Sequence, residues 1–208
     1  MAVVAGQARA ARPLQIITML DSTGNLRERR GATVGSKEND PMTDNLCLRE
    51  VVDDDLPLFF DFQLDPDANY MAAFTAKDPT DLEAFAAHWQ SIMVDPTTIN
   101  RTIVCDGQVV GSVASYEESG RPEVTYWIGK AYWGRGIGTW ALTAFLVQAN
   151  TARPIYARVA KDNLGSRRIL EKCGFQVISE TRGFANARGE EIDELLLELP
   201  ANRKSEKP

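Results

Sequence analysis

The chain has 208 residues, 44% of them hydrophobic and 25% charged, a balance that excludes wholesale disorder and supports one full core without disulfides or a structural metal. Its net charge of -6, from 23 basic and 29 acidic residues, argues against general nucleic-acid binding, which needs a basic footprint, and suits a cationic partner somewhat better. Cys47, Cys105 and Cys173 have neither disulfide-framework nor metal-site spacing, His88 is the single histidine, and no apolar run reaches the roughly 18 residues of a membrane helix. These features predict reduced thiols, a cytoplasmic location, no metal and no membrane partner.

Residues 1–41 stand apart. Six basic and four acidic residues leave this stretch at +2, so the remaining 167 residues carry -8. No period persists there beyond the short apolar run Leu14–Leu20, and Asp21–Pro41 is rich in Gly, Ser, Asn and Asp. The stretch reads as a weakly structured extension, or as sequence ahead of a start at Met42. Its acid-free, Arg-bearing first twenty residues slightly resemble a transit peptide. Residues 42–200 read as the folded domain, and 201–208 as a frayed tail.

From Leu46 the pattern is regular. Leu46–Val51 alternates as a strand. Asp53, Asp54 and Asp55 supply cap and first-turn carboxylates for a helix through Phe59, Phe60 and Phe62. Residues 80–93 form a second helix with Thr80 as its cap, and His88 lies on it as a surface or edge-of-core residue. Arg101–Cys105 and Gln108–Tyr116 flank the hairpin signal Asp106-Gly107, Glu117–Pro122 turns, and Glu123–Ile128 is the next strand. A glycine-rich loop then leads into an apolar helix, followed by a strand at Ile155–Ala160 and a helix at Asn163–Cys173 that Gly174 ends. Phe175–Thr181 and Ile192–Leu199 complete the series as strands joined by a polar loop. This order predicts an α+β fold, a mixed, largely antiparallel sheet with helices on both faces.

Two segments carry chemistry. In Trp133-Gly134-Arg135-Gly136-Ile137-Gly138-Thr139, three alternating glycines lie between a strand and a helix. Such a loop lets backbone N–H groups converge on an anion, and the following helix adds its unsatisfied N–H groups and dipole. Arg135 can add a charge-assisted contact. The segment reads as a phosphate or pyrophosphate cradle, or more plainly as a tight turn. It matches neither the Walker pattern nor GxGxxG. In the second segment, Asn163-Leu164-Gly165-Ser166, Asn163 and Ser166 lie three apart and can face one side of a first helical turn, either as caps or as contacts for a long ligand.

Together, WGRGIGTWAL and NLGSRRILEKCGF resemble the GNAT superfamily of acetyl-CoA-dependent N-acetyltransferases, closest to the Rim-type branch of ribosomal-protein N-terminal acetyltransferases, over roughly residues 44–199. The resemblance implies the GNAT fold and acetyl-CoA as co-substrate, with a primary amine as acceptor, either a protein N-terminus or a small molecule, attacked directly in a ternary complex. It also admits a homodimer. It implies a backbone cradle from Gly134 through Arg135, Gly136, Ile137 and Gly138 to Thr139, with Trp133 standing where relatives carry Gln or Arg. It places Ile128 and Lys130 beside the pantetheine arm and Asn163 on coenzyme A. Relatives often carry a tyrosine acid where this chain has Leu170, so Ser166, or water, becomes the proton donor to the thiolate. Glu123 matches a glutamate that acts through water as base, or is an ordinary strand-end carboxylate. Backbone donors for the oxyanion are expected from a bulged strand near Trp127–Ile128. Tyr70, Trp127 and Tyr132 are candidate acceptor-channel residues, with core packing as the alternative. Cys173 reads as a small packing residue without a base to activate it. A non-catalytic acyl-CoA sensor on the same fold is the alternative function.

Overall fold

The computed structural model describes residues 45–201 and the backbone of Ala2–Val3. The rest of the expected extension, the start at Met42 and the tail beyond Ala201 lie outside the described residues. The strands are β1 (Ala2–Val3), β2 (Leu46–Arg49), β3 (Ile99–Cys105), β4 (Gln108–Glu118), β5 (Arg121–Ile128), β6 (Ile155–Ala160), β7 (Gln176–Ala185) and β8 (Glu190–Leu199). The helices are α1 (Leu56–Leu64), α2 (Pro66–Ala72), α3 (Leu82–Val94), α4 (Ile137–Gln148) and α5 (Leu164–Lys172). The sheet runs in the order β2-β3-β4-β5-β6-β8-β7, and β1 pairs with β5. Every pairing is antiparallel except β5 with β6.

The hairpins form where turn chemistry demands them. Asp106 and Gly107 have φ of 51° and 79°, both left-handed, as a two-residue type I′ turn requires. Ser119 and Gly120 repeat that geometry at 52° and 75°. The expected Glu117–Pro122 turn therefore contracts to two residues, and β4 and β5 stay paired out to Glu118 and Arg121. The loop expected over 182–191 contracts likewise, because Arg182 pairs with Asp193 and the β7–β8 ladder continues to Ala185 and Glu190.

The acidic run at Asp53 departs from expectation. It forms a single 3-10 turn, and no aspartate side chain caps α1. Asp55 is buried, and the Arg49 guanidinium grips it through two contacts of 2.6 Å while Thr102 donates to it at 2.6 Å. Burial pushes its carboxyl up, but the bonds from Arg49, Thr102 and Val52 N–H outweigh that and hold it below the usual range. The run thus pins α1 to the sheet. The region also holds a helix that the sequence reading did not separate: Asp65 caps α2 by accepting from Ala68 N–H at 2.9 Å, with Pro66 at its first position. In α3 the cap is Asp81, not Thr80, whose hydroxyl is spent on Asp78.

Val124, Tyr126 and Ile128 of β5 belong to the main core with Ala141, Leu142 and Phe145 of α4 and Leu170 of α5. By strand alternation, Glu123, Thr125 and Trp127 face the other side. The gap that matters lies between β5 and β6. These parallel strands are in register only at Glu123 and Tyr156 and pair no further towards their C-terminal ends. On the β4 side, Gly129 N–H donates to Val110 O at 2.9 Å across the Ile128–Gly111 pair. That pattern makes Ile128, and two residues back Tyr126, non-hydrogen-bonded positions towards β4. Their backbone polar groups therefore point into the gap, where β1 pairs alongside Tyr126 and Trp127.

Candidate active site

At the mouth of this gap β5 ends, a 3-10 turn at Lys130–Tyr132 follows, and the glycine loop enters α4. Gly136 is the N-cap of α4 with φ of 80°, a left-handed conformation that side chains disfavour, and no side chain caps the helix. The first N–H groups of α4 are thus left for a ligand. Gly138 serves a different purpose, since a Cβ there would lie 2.7 Å from Ile169 Cδ1, and its absence lets α4 close on α5. A cavity of about 310 Å³ opens between the loop and first turn of α4 on one side and Gly165, Arg168, Ile169 and Lys172 on the other.

Arg168 and Lys172 line this cavity and make no ion pair among the described residues. Sequence reasoning passed over them. Their spacing of four residues puts both on one face of α5, but a basic i,i+4 pair is ordinary on a solvated helix until something is seen to face it. Arg135, expected to supply the cation, turns its guanidinium to the Tyr132 ring, 5.9 Å from its centroid, and to Cys105 Sγ at 3.7 Å. Trp133 donates its indole N–H to Ile128 O at 2.8 Å, bracing the loop against the end of β5 and occupying one of the backbone acceptors there.

Two further expected cofactor residues, Asn163 and Lys130, make contacts within the protein. Asn163 is fully buried; its Oδ1 accepts from Ser166 N–H at 3.1 Å and its Nδ2 donates to Met71 O at 2.8 Å, tying α5 to α2. Lys130 pairs with Asp67 and, at 3.5 Å, Asp65, and the Asp67 contact raises its ammonium above the ordinary value.

Glu123 sits at the apex of the gap, buried, where β5 and β6 are still in register. Arg158 Nε donates to its Oε1 at 3.1 Å and Tyr116 O–H to its Oε2 at 3.2 Å. Arg158 also bonds Glu194 at 3.3 Å, and burial raises that second carboxyl. Ser166 is fully buried in the first turn of α5, with Oγ 2.6 Å from the Tyr126 hydroxyl. Leu170 is fully buried in the core.

The acceptor-side candidates are not gathered in one place. Tyr132 lines the glycine-loop cavity. Tyr70 is exposed on α2, its ring under the Arg188 guanidinium at 4.3 Å. Trp127 faces the side of β5 opposite the α4 core, and its indole N–H is buried without a hydrogen-bond partner among the described residues. The expected bulge at Trp127–Ile128 is absent, because β4 and β5 keep an unbroken register there; the register shifts of the sheet lie between Ile103 and Val104 and between Val177 and Ser179. The alternation of an ordinary strand already turns the Tyr126 and Ile128 groups into the gap. Cys173 is half-buried and burial raises its thiol, which disfavours the thiolate. Among the described residues no group of three or more His, Cys, Asp or Glu could hold a metal, and no helix is long and apolar enough to cross a membrane.

A sheet that splays between two parallel strands, with an uncapped helix end and two cations at the mouth, is an arrangement suited to a long anionic ligand lying edge-on to the sheet. The chain belongs to the GNAT acetyltransferases: the model of the acetyltransferase (GNAT) domain matches residues 45–176. The comparison with curated proteins finds no match. Among solved structures, Mycobacterium smegmatis RimJ in complex with CoA-disulfide is similar at 21% identity and TM-score 0.63, over 78% of this chain and 85% of that one. Ribosomal-protein-alanine N-acetyltransferase from Brucella melitensis matches at 21% and 0.62, over 74% and 99%. The yncA protein of Salmonella typhimurium, a putative acetyltransferase solved with acetyl-CoA, matches at 17% and 0.63, over 79% and 98%.

Proposed function

We propose that this protein moves acetyl from acetyl-CoA to a primary amine, a protein N-terminus or a small molecule, by direct attack in a ternary complex. The observation that carries the reading is the cavity between α4 and α5, where free helix N–H groups face Arg168 and Lys172 at the open end of the β5–β6 gap. The residues fit the cofactor's chemistry: the cradle from Gly134 to Thr139 with Arg168 and Lys172 would hold the pyrophosphate. The pantetheine arm would enter along the end of β5 beside Ile128, whose carbonyl the Trp133 indole already holds, and would meet β1 at Tyr126. The Ser166 hydroxyl would hydrogen-bond the leaving sulfur as the C–S bond breaks. Glu123 would take the amine proton through an intervening water, since each of its oxygens keeps a second lone pair. The reacting groups would then lie near the apex of the gap, with Trp127 offering its N–H to the acceptor.

A panel of amines assayed for free coenzyme A thiol tests the proposal: protein N-terminal peptides, diamines, amino acids and aminoglycosides. Turnover on one class identifies the acceptor. Acetyl-CoA binding without turnover on any amine would replace this reading with that of a non-catalytic acyl-CoA sensor, which Leu170 in place of a tyrosine acid favours.

A further inference from the structure

Tyr126 is left without a side-chain role in this scheme, and its surroundings assign one. Its ring is buried on the core side of β5. Its hydroxyl lies 2.6 Å from Ser166 Oγ and 3.2 Å from the Ser166 carbonyl oxygen. Ser166 is anchored on the other side, because Asn163 Oδ1 fixes its backbone N–H. A serine hydroxyl carries one proton and two lone pairs, and its rotor is free unless a neighbour sets it. Either hydroxyl can donate across the 2.6 Å contact, and a phenol is more acidic than an alkyl alcohol, which makes Tyr126 the stronger donor of the two. Of its two acceptors, Oγ is the nearer by 0.6 Å. With that lone pair of Oγ filled, the Ser166 proton is turned away from Tyr126.

We propose that Tyr126 is a positioning residue: it donates to Ser166 Oγ so that the Ser166 O–H is aimed at the sulfur that leaves. The inference rests on the acetyl-transfer reading above. In that step the C–N bond forms, the C–S bond breaks, the amine gives up one proton and the sulfur gains one; Tyr126 neither gains nor loses a proton. Its contribution is orientation, which matters because a hydroxyl that must rotate during the reaction stabilises the developing charge less than one already aimed. The device places a tyrosine hydroxyl on the strand, acting through a serine, in a protein whose α5 carries Leu170 one turn beyond Ser166.

The test is a double-mutant cycle on the full chain with an amine active in the panel: Tyr126→Phe, Ser166→Ala and both together. Rates are normalised to sites titrated by acetyl-CoA binding, so partly unfolded protein does not imitate a lost hydroxyl. Ser166→Ala is expected to lower kcat by about a hundredfold and Tyr126→Phe by about tenfold, each with little change in the KM for acetyl-CoA. The double variant is expected to match Ser166→Ala alone, because without Oγ the phenol has nothing to aim. Unchanged kcat in Tyr126→Phe, or losses that multiply in the double variant, would overturn the positioning role while leaving Ser166 in place. Wild-type kcat in Ser166→Ala would instead overturn the serine assignment, and the positioning role with it.

Discussion

Gly136→Glu is the sharpest probe of the cradle. The substitution has two separable effects. The first is conformational: φ at Gly136 is 80°, and an added Cβ meets no atom within 4 Å, so strain comes from the left-handed backbone and not from a clash. That strain is about 1–2 kcal/mol. Gly107 calibrates it, having φ of 79° and equally open surroundings at the β3–β4 turn, outside the lining of the cavity. Gly107→Ala and Gly136→Ala should therefore lower stability alike, by about 1–2 kcal/mol in urea titrations. The second effect is electrostatic. Two unit charges about 4 Å apart near a protein surface repel by about 4 kcal/mol. Halving this for solvent and salt leaves about 2 kcal/mol, roughly a thirtyfold weaker Kd for acetyl-CoA from charge alone. Calorimetry should show at least that loss for Gly136→Glu and no loss for Gly107→Ala. Unchanged acetyl-CoA affinity in Gly136→Glu would refute the cradle, since a carboxylate at the helix N-terminus and a pyrophosphate compete for the same N–H groups.

Three further outcomes are expected. Arg168→Ala and Lys172→Ala should each weaken acetyl-CoA binding by roughly 3- to 30-fold, an effect that shrinks as salt is raised, whereas Arg135→Ala should leave the salt dependence unchanged. The Asp55 carboxyl is held below its unfolded value, so the stability it contributes is present above about pH 4 and is lost as pH falls towards its folded pKa. Asp55→Asn should destabilise the protein by about 2–3 kcal/mol at pH 7 and flatten the acid limb of the stability curve; an unchanged acid limb would show that other carboxylates govern it. Timed iodoacetamide labelling read by mass spectrometry should modify exposed Cys47 before buried Cys105 and before Cys173, whose thiol burial raises.

Much of the fold was legible because its signals are local. Asp106-Gly107 specifies its turn through the conformations those residues tolerate, Asn163 caps the helix it precedes, and Gly174 ends it at φ of 94°. Alternation in Glu123–Ile128 told which side chains share a face. The misreading of Asp55 arose because one of its partners lies far along the chain. The carboxylate of Asp55 goes to Thr102, 47 residues away, and not to the adjacent helix. Asn163, a correct cap, also reaches Met71 on α2, 92 residues back, and Ser115 of β4 accepts at 2.7 Å from Asn150 Nδ2 in the segment after α4, 35 residues on.

The same division runs through the site. Three glycines between a strand and a helix, and an Asn-x-x-Ser opening the next helix, mark the loop and the two helix starts, because backbone dihedrals and helix ends are properties of a few consecutive residues. Which cations face the loop was decided only when α5 packed against α4 through Gly138, turning Arg168 and Lys172 into the cavity and leaving Arg135 against Tyr132. Likewise, nothing in the spacing of Tyr126 and Ser166 brings them together. They are 40 residues apart in sequence, and they meet because the strand and the helix that carry them bury opposite sides of one core.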